Sequence, residues 1–115
     1  MLVSKEFTFD SAHFLTKYHG KCENLHGHTY RLRVTVSGPV QEDGMVLDFK
    51  ELKGLVKERV IDRYDHQNLN DFFENPSAEN IVLQIWKDLQ DLPAGKLAEL
   101  VLWETADSFV TYRGE

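Results

Sequence analysis

The chain has little of what secreted, membrane-spanning or nucleic-acid-binding proteins depend on. Its single cysteine excludes an intrachain disulfide, and no apolar run approaches the roughly 18 residues that a membrane-spanning helix needs. A formal net charge of −6 provides no basic field for non-specific binding to DNA or RNA. No signal-like apolar segment follows Met1, so we expect a soluble cytoplasmic protein without nucleic-acid or membrane partners.

The composition present is that of a small globular domain. The 115 residues fit one domain over 1–115, and 42% hydrophobic with 28% charged residues is typical of a chain with a core. Alternation of apolar and polar residues predicts strands over 3–9, 28–38, 98–104 and 108–112. Helical spacing predicts one helix over 49–63, capped by Asp48, and a second from Ser77 to near Leu92.

The order β-β-α-α-β-β predicts an α+β domain. We expect an antiparallel four-stranded sheet with two helices on one face. The other face would carry polar side chains, among them Arg31, Arg33, Thr111 and Arg113. The edge strands of such a sheet pair readily with another chain, so we expect the protein to oligomerise through its sheet edges.

Histidines form the first candidate site. His26 and His28 lie two apart at the start of a predicted strand, so their imidazoles point to the same face. His13 follows the first strand, which is expected to pair with the strand after His28. Three imidazoles with one open position are the pattern of catalytic zinc, although iron, copper and nickel also accept imidazole ligands. The alternative is that all three are ordinary polar residues at strand ends.

Cys22, Asp65 and His66 could handle protons. Cys22 has polar neighbours, which indicates a loop, and it could act as a fourth metal ligand, a nucleophile or a base; free cysteine is otherwise most often a small buried residue. Asp65 and His66 follow the first helix and could form a proton relay if both meet Cys22. Alternatively, His66 is a helix-terminal histidine stabilised by the helix dipole.

Glu104 lies at the end of an apolar strand. A carboxylate there could accept two parallel hydrogen bonds from an N–H pair such as that of a pterin or guanine ring. It could equally be an outward-facing carboxylate with no ligand.

These residues together resemble a known family, the 6-pyruvoyl-tetrahydropterin synthase / 6-carboxytetrahydropterin synthase family of the tunnelling fold. The resemblance covers nearly the whole chain and rests on separated motifs in the right order: Phe9-Asp10-Ser11-Ala12-His13, residues 22–28, Asp48-Phe49, Leu69-Asn70, residues 75–80 and Glu104-Thr105.

The resemblance implies a role for each candidate. His13, His26 and His28 would bind Zn²⁺, which would act as a Lewis acid on the substrate 7,8-dihydroneopterin triphosphate. Glu104 would anchor the pterin ring. Cys22, Asp65 and His66 would form a proton-transfer set that assembles across a subunit interface. The expected assembly is a homo-hexamer, a dimer of trimers in which each trimer closes a barrel.

The cysteine's position narrows the implied reaction. Cys22 lies four residues before His26, as in the 6-carboxytetrahydropterin synthases of queuosine-type deazapurine biosynthesis, whereas pyruvoyl synthases usually have a longer spacer. Glu23 lies where a third subgroup, which makes 6-hydroxymethyl-7,8-dihydropterin for folate synthesis, uses glutamate. The leading hypothesis is therefore a 6-carboxytetrahydropterin synthase. The folate-type lyase and the pyruvoyl synthase are alternatives, and the non-enzyme alternative is an oligomer that binds a pterin or purine around structural zinc.

Overall fold

The computed structural model describes residues 1–16 and 24–115. Five strands form one sheet in the order β3-β1-β2-β4-β5, with bounds β1 (Leu2–His13), β2 (His26–Ser37), β3 (Gln67–Asn68), β4 (Lys96–Trp103) and β5 (Phe109–Tyr112). All neighbours are antiparallel except β3, which pairs with β1 in parallel at Ser11 and Ala12. The α+β class is confirmed. The expectation of four strands is corrected to five, because two residues after the first helix add to the edge of β1.

The first helical segment has three parts. It runs through α1 (Phe49–Val56), a π-turn (Lys57–Ile61) and α2 (Asp62–Tyr64), so it ends one residue beyond the predicted 63. Asp48 caps it as expected, since its carboxylate accepts from the Lys50 backbone N–H at 2.9 Å. A 3₁₀ turn (Leu69–Asp71) follows β3.

The second helix, α3 (Ala78–Asp88), begins after Ser77, whose hydroxyl accepts from the Asn80 N–H at 3.2 Å. Both helical segments present apolar stripes to the sheet. The core between them consists of fully or nearly fully buried side chains, including Phe9, Tyr30, Leu32, Val34, Leu52, Val56, Val60, Tyr64, Leu69, Ile81, Ile85, Leu100 and Leu102. This packing fixes the strand ends at which the candidate residues lie.

The opposite face of the sheet is polar, as predicted, but it contains one buried aromatic residue. The Arg31 guanidinium lies 3.9 Å from the centre of the Trp103 ring, and Trp103 is only 8% exposed. Arg33 pairs with Glu6 at 2.9 Å beside it. Within residues 1–16 and 24–115, β5 has a partner strand on one side only, and β1 meets β3 only near its end. No described helix is long and apolar enough to cross a membrane.

Candidate functional site

Strand register brings three histidines to one end of the sheet. His13 is paired directly with His26 across β1 and β2, and His28 is paired with Ser11 two residues further along. The ring centroids of His13, His26 and His28 lie 4.7 to 4.9 Å apart, and their candidate ligand nitrogens lie within 4.8 Å of one another. The sequence predicted this convergence. Their role as metal ligands stays a prediction.

Backbone carbonyls fix the tautomers of two of these rings. The Nδ1 atom of His13 lies 2.8 Å from the Pro76 carbonyl, and that of His26 lies 2.9 Å from the Asn24 carbonyl. A carbonyl oxygen only accepts, so each Nδ1 donates a hydrogen and each Nε2 presents a lone pair in the neutral ring. The two Nε2 atoms are 3.1 Å apart.

Two facing lone pairs at this distance call for a cation between them. Two nitrogens bound to one tetrahedral zinc ion at about 2.0–2.1 Å would lie about 3.3 Å apart. The donor set and the observed spacing therefore fit a zinc-type ion held through Nε2 atoms, with carbonyls as the outer hydrogen-bond partners that metal-ligating histidines usually have.

Glu104 brings a carboxylate to the same centre. It follows β4 directly, and its N–H donates to the Ser108 carbonyl at 3.0 Å, which fixes the strand end. Its Oε1 lies 3.4 Å from the Nε2 atom of His13 and 3.8 Å from that of His28. Glu104 also lines a small cavity of about 180 Å³ that includes Ala78 and Ser108. This position between the histidines and a cavity suits a ligand anchor; the pterin role itself stays a prediction.

Tyr30 belongs to the site, although sequence reasoning gave it no role. Its hydroxyl lies 3.2 Å from the Nδ1 atom of His13, and its ring stacks on Phe9. Burial, with a smaller contribution from Glu104, raises the pKa of the Tyr30 hydroxyl far above its usual value, so it stays protonated. The signal was present in the alternation that places His26, His28 and Tyr30 on the same face of β2.

A second cluster lies at the edge formed by β1 and β3. The Nδ1 atom of His66 lies 2.9 Å from a carboxylate oxygen of Asp65, so these chain neighbours do pair. The other Asp65 oxygen accepts from the Asp10 N–H at 2.9 Å, and the His66 N–H donates to the Asp10 carbonyl at 2.6 Å. His66 has φ +58°, a left-handed conformation that turns its ring back toward Asp65.

The hydrogen bonds define what this pair can do. The Asp10 N–H, followed by His66, lowers the pKa of Asp65, so its carboxylate is ionised and accepts from His66. His66 is 78% exposed, and with Nδ1 held by Asp65 its Nε2 atom is the one that can exchange a proton. Asp10, which lies within 4.8 Å in the same cluster, was not assigned a role from the sequence.

The two clusters open onto one groove. His28 and His66 both line an open groove of about 590 Å³. Cys22 and Glu23, the remaining candidates, lie outside the described residues, so their predicted roles stay predictions.

A three-histidine centre beside a carboxylate–imidazole pair is the arrangement of a metal-dependent enzyme that moves protons. The comparisons give this class a family. The chain belongs to the 6-pyruvoyl tetrahydropterin synthase family, which matches residues 2–115. The named members of this family are synthases that act as lyases, and the chain is a pterin synthase of this kind.

Relatives within the family have different names. The chain is 38% identical to the 6-carboxy-5,6,7,8-tetrahydropterin synthase of Haemophilus influenzae, over 96% of this chain and 97% of the relative. It is 42% identical to the dihydroneopterin monophosphate aldolase of Pyrococcus furiosus, over 84% and 83%. The fold matches the Caenorhabditis elegans 6-pyruvoyl tetrahydropterin synthase structure with a TM-score of 0.87, at 28% identity, covering 100% of this chain and 96% of that one.

Proposed function

We propose that the protein is a zinc-dependent synthase that converts 7,8-dihydroneopterin triphosphate to 6-carboxy-5,6,7,8-tetrahydropterin, in the deazapurine pathway that leads to queuosine. The observation that carries the proposal is the convergence of the Nε2 atoms of His13 and His26, 3.1 Å apart, with the Glu104 carboxylate 3.4 Å from His13. The position of Cys22, four residues before His26, and the similarity to the Haemophilus influenzae enzyme favour this product.

The described residues divide the work between metal, pterin and proton. His13, His26 and His28 would hold zinc, which when bound supplies Lewis-acid stabilisation of negative charge on substrate oxygens. Glu104, an acceptor beside the small cavity, would take two N–H hydrogen bonds from the pterin ring and so orient its side chain toward the histidines. Tyr30 stays neutral beside His13 and adds no charge to the centre.

Proton transfer would fall to Cys22 and the second cluster. Asp65, ionised and fixed by the Asp10 N–H, holds His66 with its Nδ1 hydrogen inward and stabilises the imidazolium that forms when His66 takes a proton. Cys22 as thiolate would remove a proton from the substrate side chain, and His66 would accept or return it. Cleavage would then release acetaldehyde and triphosphate.

Assembly is part of the proposal. His66 is 78% exposed in the single chain, which suits a residue that completes its site at a subunit interface. The edges of β1 and β5 offer backbone groups for pairing between chains. We therefore propose a homo-hexamer built from two trimers, located in the cytoplasm.

Product identification tests the reaction. The zinc-loaded protein is incubated anaerobically with 7,8-dihydroneopterin triphosphate, and the products are analysed by mass spectrometry. We expect 6-carboxytetrahydropterin and acetaldehyde, strong loss of turnover in Cys22→Ala, and retained turnover in the neighbouring control Glu23→Gln. Full turnover by Cys22→Ala would contradict the proposal.

Two other products correspond to specific alternatives. Formation of 6-hydroxymethyl-7,8-dihydropterin, abolished by Glu23→Gln, would assign the chain to the folate-type reaction; Glu23 and the similarity to the Pyrococcus furiosus aldolase favour this second candidate. Formation of 6-pyruvoyl-tetrahydropterin would indicate the pyruvoyl reaction. Tight pterin binding without turnover, with Cys22 bound to the metal, would indicate the non-catalytic oligomer.

A further inference from the structure

Two sequence motifs that the proposed chemistry leaves without a task meet the chain where β1 ends. Leu69-Asn70 and residues 75–80 bound the loop that faces the last residue of β1, His13. The strand ladder stops there, because β3 pairs with β1 only at Ser11 and Ala12, and the pair of His13 with His26 is the last between β1 and β2. The backbone after His13 therefore needs other partners.

Asn70 acts as a substitute strand partner for Phe14. The Phe14 N–H donates to the Asn70 side-chain oxygen at 2.9 Å, and the Asn70 side-chain nitrogen donates to the Phe14 carbonyl at 3.0 Å. A carboxamide offers one acceptor and donor hydrogens, as a peptide group does, so it can satisfy both backbone groups at once. Aspartate lacks the donor, and glutamine is longer by one methylene group.

The same loop holds the neighbouring positions. The Thr16 N–H donates to the Asn75 side-chain oxygen at 3.2 Å, and the Pro76 carbonyl accepts from the His13 Nδ1 atom at 2.8 Å. The loop is itself fixed, because Leu69 is fully buried and the Asn80 side chain donates to the Asn75 carbonyl at 2.8 Å. One loop thus contacts the chain at positions 13, 14 and 16.

We infer that Asn70 and Asn75 are positioning residues for the metal centre. By fixing the backbone at Phe14 and Thr16, they keep the His13 ring where Nδ1 reaches Pro76 and Nε2 faces the other two histidines. This inference rests on the proposed zinc site. Without the two asparagines the end of β1 would have to be reordered each time zinc binds, and the ordering would lower the affinity.

Zinc affinity is the measurement, because it reports on the geometry of the site independently of turnover. The dissociation constant of the full-length protein is determined by competition with a chromophoric chelator, for the parent, Asn70→Ala and Asn75→Ala. We expect the constant to rise about tenfold or more in Asn70→Ala, toward the range seen when outer partners of metal ligands are removed. Asn75→Ala removes one hydrogen bond instead of two, and a smaller rise is expected.

Gln84→Ala is the matched control. It also removes a side-chain amide, one that donates to Asp88 at 2.9 Å on α3, and that contact does not involve β1. It should lower the unfolding temperature without changing the zinc dissociation constant by more than about twofold. Circular dichroism of each metal-free variant establishes that it is folded at the assay temperature, and Asn75→Ala carries the test if Asn70→Ala is not.

The outcomes separate the inference from the proposed function. If the parent binds zinc and both asparagine variants bind it as tightly as Gln84→Ala does, the asparagines only stabilise the fold and the inference is overturned. If the parent itself binds no zinc, the proposed metal site fails first. Weaker zinc binding in the asparagine variants alone supports their positioning role.

Discussion

Deleting Glu58 from the π-turn should leave the fold intact, although the deletion removes a residue from the middle of a helical segment. The four core positions of this segment, Leu52, Val56, Val60 and Tyr64, are each separated by four residues, and all are fully buried. At 3.6 residues per turn, twelve residues overshoot three full turns by about 120°, so a regular α-helix could not point all four inward. The wider π-turn takes up this excess.

With Glu58 removed, the eleven residues from Leu52 to Tyr64 would fit three turns of a regular α-helix to within about 20°. Tyr64 then stays buried, and we expect the free energy of unfolding to change by no more than about 1 kcal/mol, within the range of a tolerated surface change. Inserting one alanine after Glu58 instead raises the mismatch to about 220°. That should cost about 3 kcal/mol or more, as for loss of a buried aromatic side chain.

Urea denaturation of the parent, the deletion and the insertion variants measures both effects. Because Asp65 follows Tyr64 directly, the deletion variant should also keep turnover, whereas the insertion variant should lose it. A deletion variant as unstable as the insertion variant would show that the π-turn is required in its own right and would refute the geometric reasoning.

Three further predictions concern backbone strain and buried tyrosine. His66→Gly should stabilise the fold by about 1 kcal/mol, since φ +58° disfavours a side chain, while abolishing turnover; a thermal melt and a rate assay check this. Burial, followed by Asp88, raises the pKa of Tyr64 to about 12, so stability should fall as the pH rises from 10 to about 12, and urea titrations of Tyr64→Phe should show a smaller fall. Gly95→Ala should cost at least about 2 kcal/mol in a thermal melt, because φ is +70° and a Cβ would lie 2.7 Å from the Ser37 carbonyl.

The sequence is sufficient for features with a clear period and insufficient for those set by a single contact. The histidine centre follows from alternation in two strands that pair, so His13 could be placed beside His26 in advance. The π-turn also had a signal, three successive four-residue steps from Leu52 to Tyr64, which regular helical spacing does not produce.

Other features depend on tertiary contacts that no local pattern encodes. The strand Gln67–Asn68 is too short to alternate and forms only because β1 offers an open edge. The bond between Asp65 and His66 requires a left-handed backbone at His66, which periodicity does not predict. The role of Asn70 depends on Phe14, which lies 56 residues away.

The most direct test of the central claim is X-ray absorption at the zinc edge of the zinc-loaded protein. The account predicts three imidazole nitrogens at about 2.0–2.1 Å, with a fourth light atom, and loss of the imidazole signal from one ligand in His28→Ala. A sulfur atom at about 2.3 Å in the resting protein would contradict it, because Cys22 would then close the metal site instead of serving as its base.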